Sequence, residues 1–416
     1  MRGSRSVWWR TTIAMLVLTA STAHADPVVS LRDWNVDLTG FIQADVVPYS
    51  ADSYDELDPE TRVPLNNERF LIRRARLRAD AHRGPIFGAI ELDGNTISGS
   101  TARILGGVVG WRYQRGDLDL AITTGLFKIP FGAEVQTLDR DRLFLEPSAF
   151  ARALFPGNYD AGAMVSGSYG LARWSLAAMN GAPPGDAQWH GTDPTQSYDF
   201  VGRIGAVVEG PKRFWIEAGV SGLTGTGLSP GTPSTKDELQ WIDANQDGIV
   251  QTTELVTVPG GPGMPSQTFD RKAVGADIAA HWCICVIGTG TAFAEGVLAT
   301  NLDRGLVYAD PVRAGRDIRH AGFALGVVQN VSDNASVGVR YNRYVGDRDT
   351  SEQLGSSLVT THEVFSTLSF VVTGMWNKAR LMAQYDHERN PFGRGDDGMP
   401  ATRDADRLTL RAQVGF

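Results

Sequence analysis

Residues 70–81 read FLIRRARLRADA, and no other stretch restricts the fold so strongly. Arg74, Arg76 and Arg78 recur at every second position, against Leu71, Ala75, Leu77 and Ala79. A period of two is that of a β-strand, which puts the three charges on one face and the apolar side chains on the other. The apolar face suits lipid. The opposite register would place three guanidiniums in hydrocarbon, at roughly 2–4 kcal/mol each near the midplane, so the register is well determined.

The same alternation recurs along the chain. Strands are expected near 34–48, 70–81, 86–93, 101–113, 118–128, 161–169, 171–180, 199–209, 214–223, 272–285, 287–300, 318–331, 335–346, 362–373, 379–388 and 404–416. Short turns such as His82-Arg83-Gly84-Pro85 alternate with long polar loops such as 301–317, 347–361 and 389–403. About sixteen strands with this short/long asymmetry predict an all-β transmembrane antiparallel barrel, with both termini on the periplasmic side. A soluble sandwich would share an apolar core between two sheets. Here one face carries Arg, Asp, Gln or Thr along nearly every strand, and a polar interior needs water.

One connection fits neither strand nor solvent loop. Between the strands ending near Lys128 and starting near Ala161 lie Asp139, Arg140, Asp141, Arg142, Glu146 and Arg152, interleaved with Leu143, Phe144, Leu145, Phe150, Leu154 and Phe155. Bulky apolar side chains gain nothing in an outer loop, and long loops in compact chains are usually functional. The segment is expected to fold back into the barrel and narrow it, with Arg140, Arg142, Glu146 and Arg152 as its charged residues.

The first 25 residues read as a secretory signal peptide: Arg2, Arg5 and Arg10, an apolar stretch, then Ala23-His24-Ala25. That stretch is far short of the roughly 18–20 residues of a membrane anchor. Its removal takes the net charge from -8 to -11 (-8 minus 3), and no basic run suggests nucleic acid. The two cysteines, Cys283 and Cys285, are too few for a metal site and read as strand-end thiols or one local bridge. No later apolar run is long enough for a spanning helix, but a closed barrel also satisfies every backbone group inside lipid.

Parity places Arg74, Arg76, Arg78, Arg203, Arg340, Arg380 and Arg411 in the lumen, with Lys128 at the mouth of the infolded loop. Such rows draw anions. The alternative is that they pair with inward carboxylates such as Asp45, Asp80, Glu91, Asp93 and Glu217 and only stiffen the wall. Three like charges two residues apart are hard to neutralise together, which favours the pore role for Arg74, Arg76 and Arg78.

The largest loop, 226–268, reads as an insertion on the extracellular side. It holds DANQDGIVQTTE at 243–254, a complete match to the EF-hand calcium loop. Asp243, Asn245 and Asp247 would supply side-chain oxygens, Ile249 its carbonyl, Gln251 the ninth position through water, and Glu254 a bidentate carboxylate, with Gly248 at the sharp turn. Thr235 and Glu238 are spaced as a capping box for a short helix, DELQWI. One unpaired hand predicts a structural Ca2+ rather than a sensor.

Several of these stretches together resemble the phosphate-selective porin O/P family. The likeness lies in RFLIRRARL, in GLFKIPFGAE at 125–134, in LEPSAFARALFPGNYDAGAMV, in Asn180-Gly181 and in the terminal Phe416. It implies a 16-stranded trimeric channel in the outer membrane of a Gram-negative bacterium. Its third extracellular loop constricts the pore, and arginines and the motif lysine, here Lys128, draw small, phosphate-like anions. Porin is the favoured reading, and a calcium-stabilised surface or adhesion protein anchored by the barrel is the alternative. The sequence holds no nucleophile triad, Gly-rich phosphate loop or HExxH, and His281, His320 and His362 are isolated, so no enzymatic activity is expected.

Overall fold

A computed structural model of the chain describes residues 29–31, 33–51, 68–97, 99–186, 189, 191–211, 213–284, 288–354, 357–360, 364–394 and 400–416. The expected signal peptide, Cys285 and His362 lie outside the described residues, while Cys283 is a free thiol.

Sixteen long strands follow one another: Trp34–Ala51, Arg69–Arg83, Ile86–Asn95, Thr101–Arg115, Leu118–Lys128, Tyr159–Tyr169, Ala172–Met179, Asp199–Glu209, Trp215–Ser229, Gln267–Ile284, Gly288–Thr300, Arg319–Ser332, Ala335–Val345, Val364–Trp376, Ala379–Arg394 and Pro400–Gly415. Each pairs antiparallel with its neighbours. The sixteenth pairs with the first, from Phe41↔Gly415 to Ala51↔Asp406, so the sheet closes and leaves no edge. No helix among the described residues is long and apolar enough to cross a membrane.

Period two now appears as two surfaces. Leu38, Ile42, Leu77, Ile90, Ile122, Ile204, Val274 and Leu410 are exposed on the outside. Gln43, Asp45, Glu91, Asp93, Asp277, Gln384 and Arg411 are buried on the inside. Apolar side chains outside and polar ones inside invert a soluble protein's pattern and match a barrel solvated by lipid.

The register departs from simple parity at several places, and one of them bears on the lumen. Opposite the first strand, pairing steps from Gln43↔Arg74 to Ala44↔Ile72, which leaves Arg73 as an extra, bulged residue. A bulge puts two successive side chains on one face. Arg73 joins Arg74 inside, and the alternation reverses beyond it. Leu71, expected on the lipid side, instead lies opposite Asp45 and is buried, while Phe70 is 83% exposed.

Residues 129–158 do fold into the barrel, as expected. They carry the short helix Ala149–Leu154, whose Phe150, Ala151 and Leu154 are buried. The 301–317 loop, expected outside, also folds inward. Arg304 and Gly305 donate their N–H groups to the carbonyl of Ala153 at 2.9 and 3.0 Å, so this loop clamps the helix end. Asp303 holds the clamp in shape: it accepts from the N–H groups of Gly305, Leu306 and Val307 and from the Tyr344 hydroxyl at 2.6 Å.

Beside the largest loop, strand pairing runs on to Ser229↔Gln267, so the projecting part is 230–266. The helix expected over DELQWI is absent. Glu238–Trp241 is a strand paired with Leu255–Val258. A six-residue helix is too short to hold alone, and the β-branched partner LVTV offers cross-strand bonds instead. At the end of the motif the chain makes one 3-10 turn, Thr252–Glu254.

Candidate functional site

The infolded loop bridges the lumen because its two sides differ in chemistry. One side is apolar. Phe131, Val135, Phe150, Leu154 and Phe155 pack on Val201, Leu223, Ala273, Val297, Ala324, Tyr344 and Phe365 of the inner wall. Phe144 and Leu145 pack further round, on Val328, Val371 and Met382. The other side is ionic and meets the strands at the barrel's seam.

Glu146 is the centre of that ionic side. Its carboxylate accepts from Arg73 at 2.8 and 2.9 Å, Arg74 at 3.0 and 3.2 Å, and Arg411 at 2.7 Å. Arg411 also grips Asp45 through two 2.7 Å bonds. Asp139 is bound by Arg76 at 2.6 Å, by Arg142 at 2.7 Å and, at 3.5 Å, by Arg74. Arg76 reaches Asp93 as well, at 3.0 Å, and Arg78 pairs with Asp80 at 2.7 Å and Glu91 at 3.4 Å. The trio Arg74, Arg76 and Arg78 thus faces the interior as parity requires, but every member is engaged by carboxylates. Two of these carboxylates, Asp139 and Glu146, come from the loop.

Three of the remaining cations, Lys128, Arg340 and Arg380, also hold the loop. Lys128 donates to the carbonyls of Val135 and Thr137 at 3.4 and 2.5 Å. Arg340 donates to Glu134 at 3.3 Å and to the Glu146 carbonyl at 2.9 Å, and its guanidinium lies over the Phe144 ring. Arg380 bonds the carbonyls of Arg140 and Arg142 at 2.9 and 3.1 Å. Arg203 lies across the lumen, paired with Asp277. Arg152 stands apart, exposed on the helix. On the wall, Glu295 accepts from the Ala133 and Glu134 N–H groups at 3.1 and 2.8 Å, a contact that parity alone does not reveal.

Burial alone would raise the carboxyl pKa values of the loop. At Asp139, however, Arg74, Arg76 and Arg142 outweigh it, and at Glu146 so do Arg74, Arg73 and Arg411. Both acids are held well below the usual carboxylate range. A depressed pKa contributes stability that is present above the unfolded value and is lost as pH falls through the folded one. The loop is therefore expected to stay docked at about pH 4, where free carboxyls protonate, and to release only in stronger acid. An acid-active protease should spare residues 129–158 at that pH; cleavage there would contradict the clasp.

Toward the short-turn end, the loop roofs a cavity of about 410 Å³. Its lining includes Arg112, Arg142, Arg173, Arg203 and Arg340, five cations, against seven carboxylates, Asp119, Glu134, Asp141, Glu146, Glu217, Asp277 and Glu295. Most are paired within the wall, as Arg112 is with Asp119 at 3.0 Å. Asp141 is the freest acid, 56% exposed. Arg173 bonds only carbonyl oxygens, of Gly170 and Ala172, among the described residues.

The six expected calcium ligands lie far from this site, in the projecting hairpin. Asp243 accepts from the N–H groups of Asp247 and Gly248 at 3.1 and 2.9 Å, Asn245 from that of Asp247 at 3.0 Å, and Asp247 from that of Ile249 at 2.7 Å. Gln251 donates its side-chain amide to Asp247 at 2.7 Å, and Gly248 takes a positive φ of 69°.

No family model and no curated protein matches the chain. Solved structures do. The outer-membrane channel DcaP of Acinetobacter baumannii is 12% identical over 93% of this chain and 99% of that one, with a TM-score of 0.56. OprB of Pseudomonas putida is 10% identical over 92% of this chain and 94% of that one, also with a TM-score of 0.56. OmpT, an outer membrane protein of Vibrio cholerae solved in a trimer form, is 9% identical over 92% and 99%, with a TM-score of 0.51. At such identities the likeness is one of fold: a closed 16-stranded antiparallel barrel of the outer-membrane kind, without the narrower phosphate-selective family.

Proposed function

We propose that the chain is a passive channel for small hydrophilic solutes in the outer membrane of a Gram-negative bacterium, acting without enzymatic chemistry. The observation that carries this reading is the lumen itself. A polar wall leads into a vestibule of about 410 Å³ that ends at a loop braced from wall to wall. A barrel serving only as an anchor needs neither.

The ion preference departs from the phosphate-like one that the resemblance implies. Arg74, Arg76, Arg78, Arg340 and Arg411 are engaged by carboxylates, and with the buried Glu295, which accepts only from backbone N–H groups, set aside, the vestibule counts six acids against five arginines. Fields focused in a low-dielectric cleft follow the net charge of its lining. The expected outcome is a weak preference, on the cation side. In planar bilayers the purified protein should give unitary conductance steps with a reversal potential near zero or slightly cationic. Asp141→Asn should move it toward anions, because Asp141 is the most exposed acid of the lining. An absence of steps would overturn the channel, and a strong anion preference would restore the arginines as a free row. The trimeric state of one solved OmpT form, together with the resemblance, favours a homotrimer, which cross-linking in native membranes tests.

A further inference from the structure

From residue 230 to 266 almost nothing is buried, and Leu239, Ile249 and Val250 stand at least 63% exposed. The one buried residue there is an acid, Glu254, at 6%. The Trp241 indole N–H donates to its Oε2 at 3.0 Å. Its Oε1 is buried with no hydrogen-bond partner. A buried carboxylate oxygen without a donor is costly, and such groups commonly mark a missing ion or water. No basic side chain of the hairpin pairs with it.

Glu254 also sits at a particular place. Ile242 donates its N–H to the Glu254 carbonyl at 3.0 Å, and Trp241 pairs with Leu255. The neck of the hairpin therefore places Glu254 beside Asp243, the first and last ligand positions of the motif. Between them come the oxygens of Asn245, Asp247 and Gln251 and the turn at Gly248. Among the described residues no three acidic side chains are yet drawn together as a finished metal cage.

We propose that the 243–254 loop binds one Ca2+, with Glu254 as the preset anchor and Asp243, Asn245 and Asp247 closing onto it. The ion supplies the positive charge that Glu254 Oε1 lacks. An all-oxygen site in a flexible loop suits Ca2+, whereas Mg2+ demands stricter geometry and keeps its waters. With three charged ligands and no second hand, the affinity belongs with extracellular modules, roughly 10⁻⁴–10⁻³ M. The role is structural: it ties down a Gly- and Pro-rich loop with no core of its own. The inference stands whether or not the barrel conducts.

Calorimetric titration of the full chain in detergent with CaCl2 tests it, alongside MgCl2 and protease digestion of residues 230–266. One saturable Ca2+ site per chain, weaker for Mg2+ and protecting the loop from cleavage, is the expected result. Glu254→Gln should weaken the site by about tenfold or more and remove the protection. Asp243→Asn, which leaves the neck contact with Trp241 intact, should weaken it too. No saturable binding up to about 5 mM, above the weak end of that range, would overturn the proposal. So would wild-type affinity in both variants.

Discussion

Glu146→Ala is expected to raise the single-channel conductance, make it noisy and swing the reversal potential toward anions. In the native lumen the Glu146 carboxylate is shared by Arg73, Arg74 and Arg411, and Arg411 is 2% exposed. Removing one partner from a buried charge network usually costs about 3–5 kcal/mol, because the charges left behind stay desolvated. The chain can relieve that only by letting water in, which means lifting the loop from the seam. Three guanidiniums would then face the passage, with Asp139 and Asp45 too few to balance them. Glu146→Gln keeps the shape and one of the two acceptor oxygens, so it should shift selectivity with less effect on conductance than the alanine variant. Unchanged conductance and selectivity in the alanine variant would show that the solute path avoids the seam altogether.

Phe150→Ala should loosen the same loop from its apolar side. Phe150 is fully buried in the first turn of the helix Ala149–Leu154, and it lies so close to the wall that a side chain on Gly322 would collide with its Cβ. Truncating a fully buried Phe costs about 3–5 kcal/mol. The loss falls on a segment joined to the barrel by side chains, while the strand ladder is untouched. Protease should then cut within 129–158 at neutral pH while the thermal transition of the barrel changes little. Gly322→Ala, made on the wall, should produce the same phenotype by pushing the helix away. If neither variant exposes the loop, the ionic clasp alone holds it.

How much of this was legible in the sequence depends on the kind of contact. Strands were legible because water and lipid demand opposite side chains: the expected 118–128 and 199–209 match Leu118–Lys128 and Asp199–Glu209. The infolding of 129–158 showed in Phe144, Phe150 and Phe155, which no outer loop would carry. Leu302, Leu306 and Val307 gave the same sign for the 301–317 loop, masked by its ordinary length. The bulge at Arg73 left no trace, since an extra residue changes facing without changing composition. Pairing was equally hidden. Arg74 meets Glu146 across 72 positions and Arg411 meets Asp45 across 366, separations that only the closed barrel shortens. A row of like charges therefore looked free when its partners sat on a distant loop.

The seam has a further consequence, in time rather than in space. Gly40 exchanges both main-chain bonds with Phe416, at 3.1 and 3.0 Å, and the Phe416 ring lies over the spot where a Gly40 side chain would be. Every other strand junction joins segments that follow one another and can zip as hairpins. This one joins the two ends of the barrel, and it pays the largest loop-closure entropy in the molecule. Non-local pairing of this kind is slow. Until it forms, the Trp34–Ala51 and Pro400–Gly415 strands keep raw edges open to a neighbouring chain. The clasp lies on that junction too, since Arg411 and Asp45 come from its two sides. The constriction can then set only after the ring has closed, so an unfinished barrel lacks its narrow point.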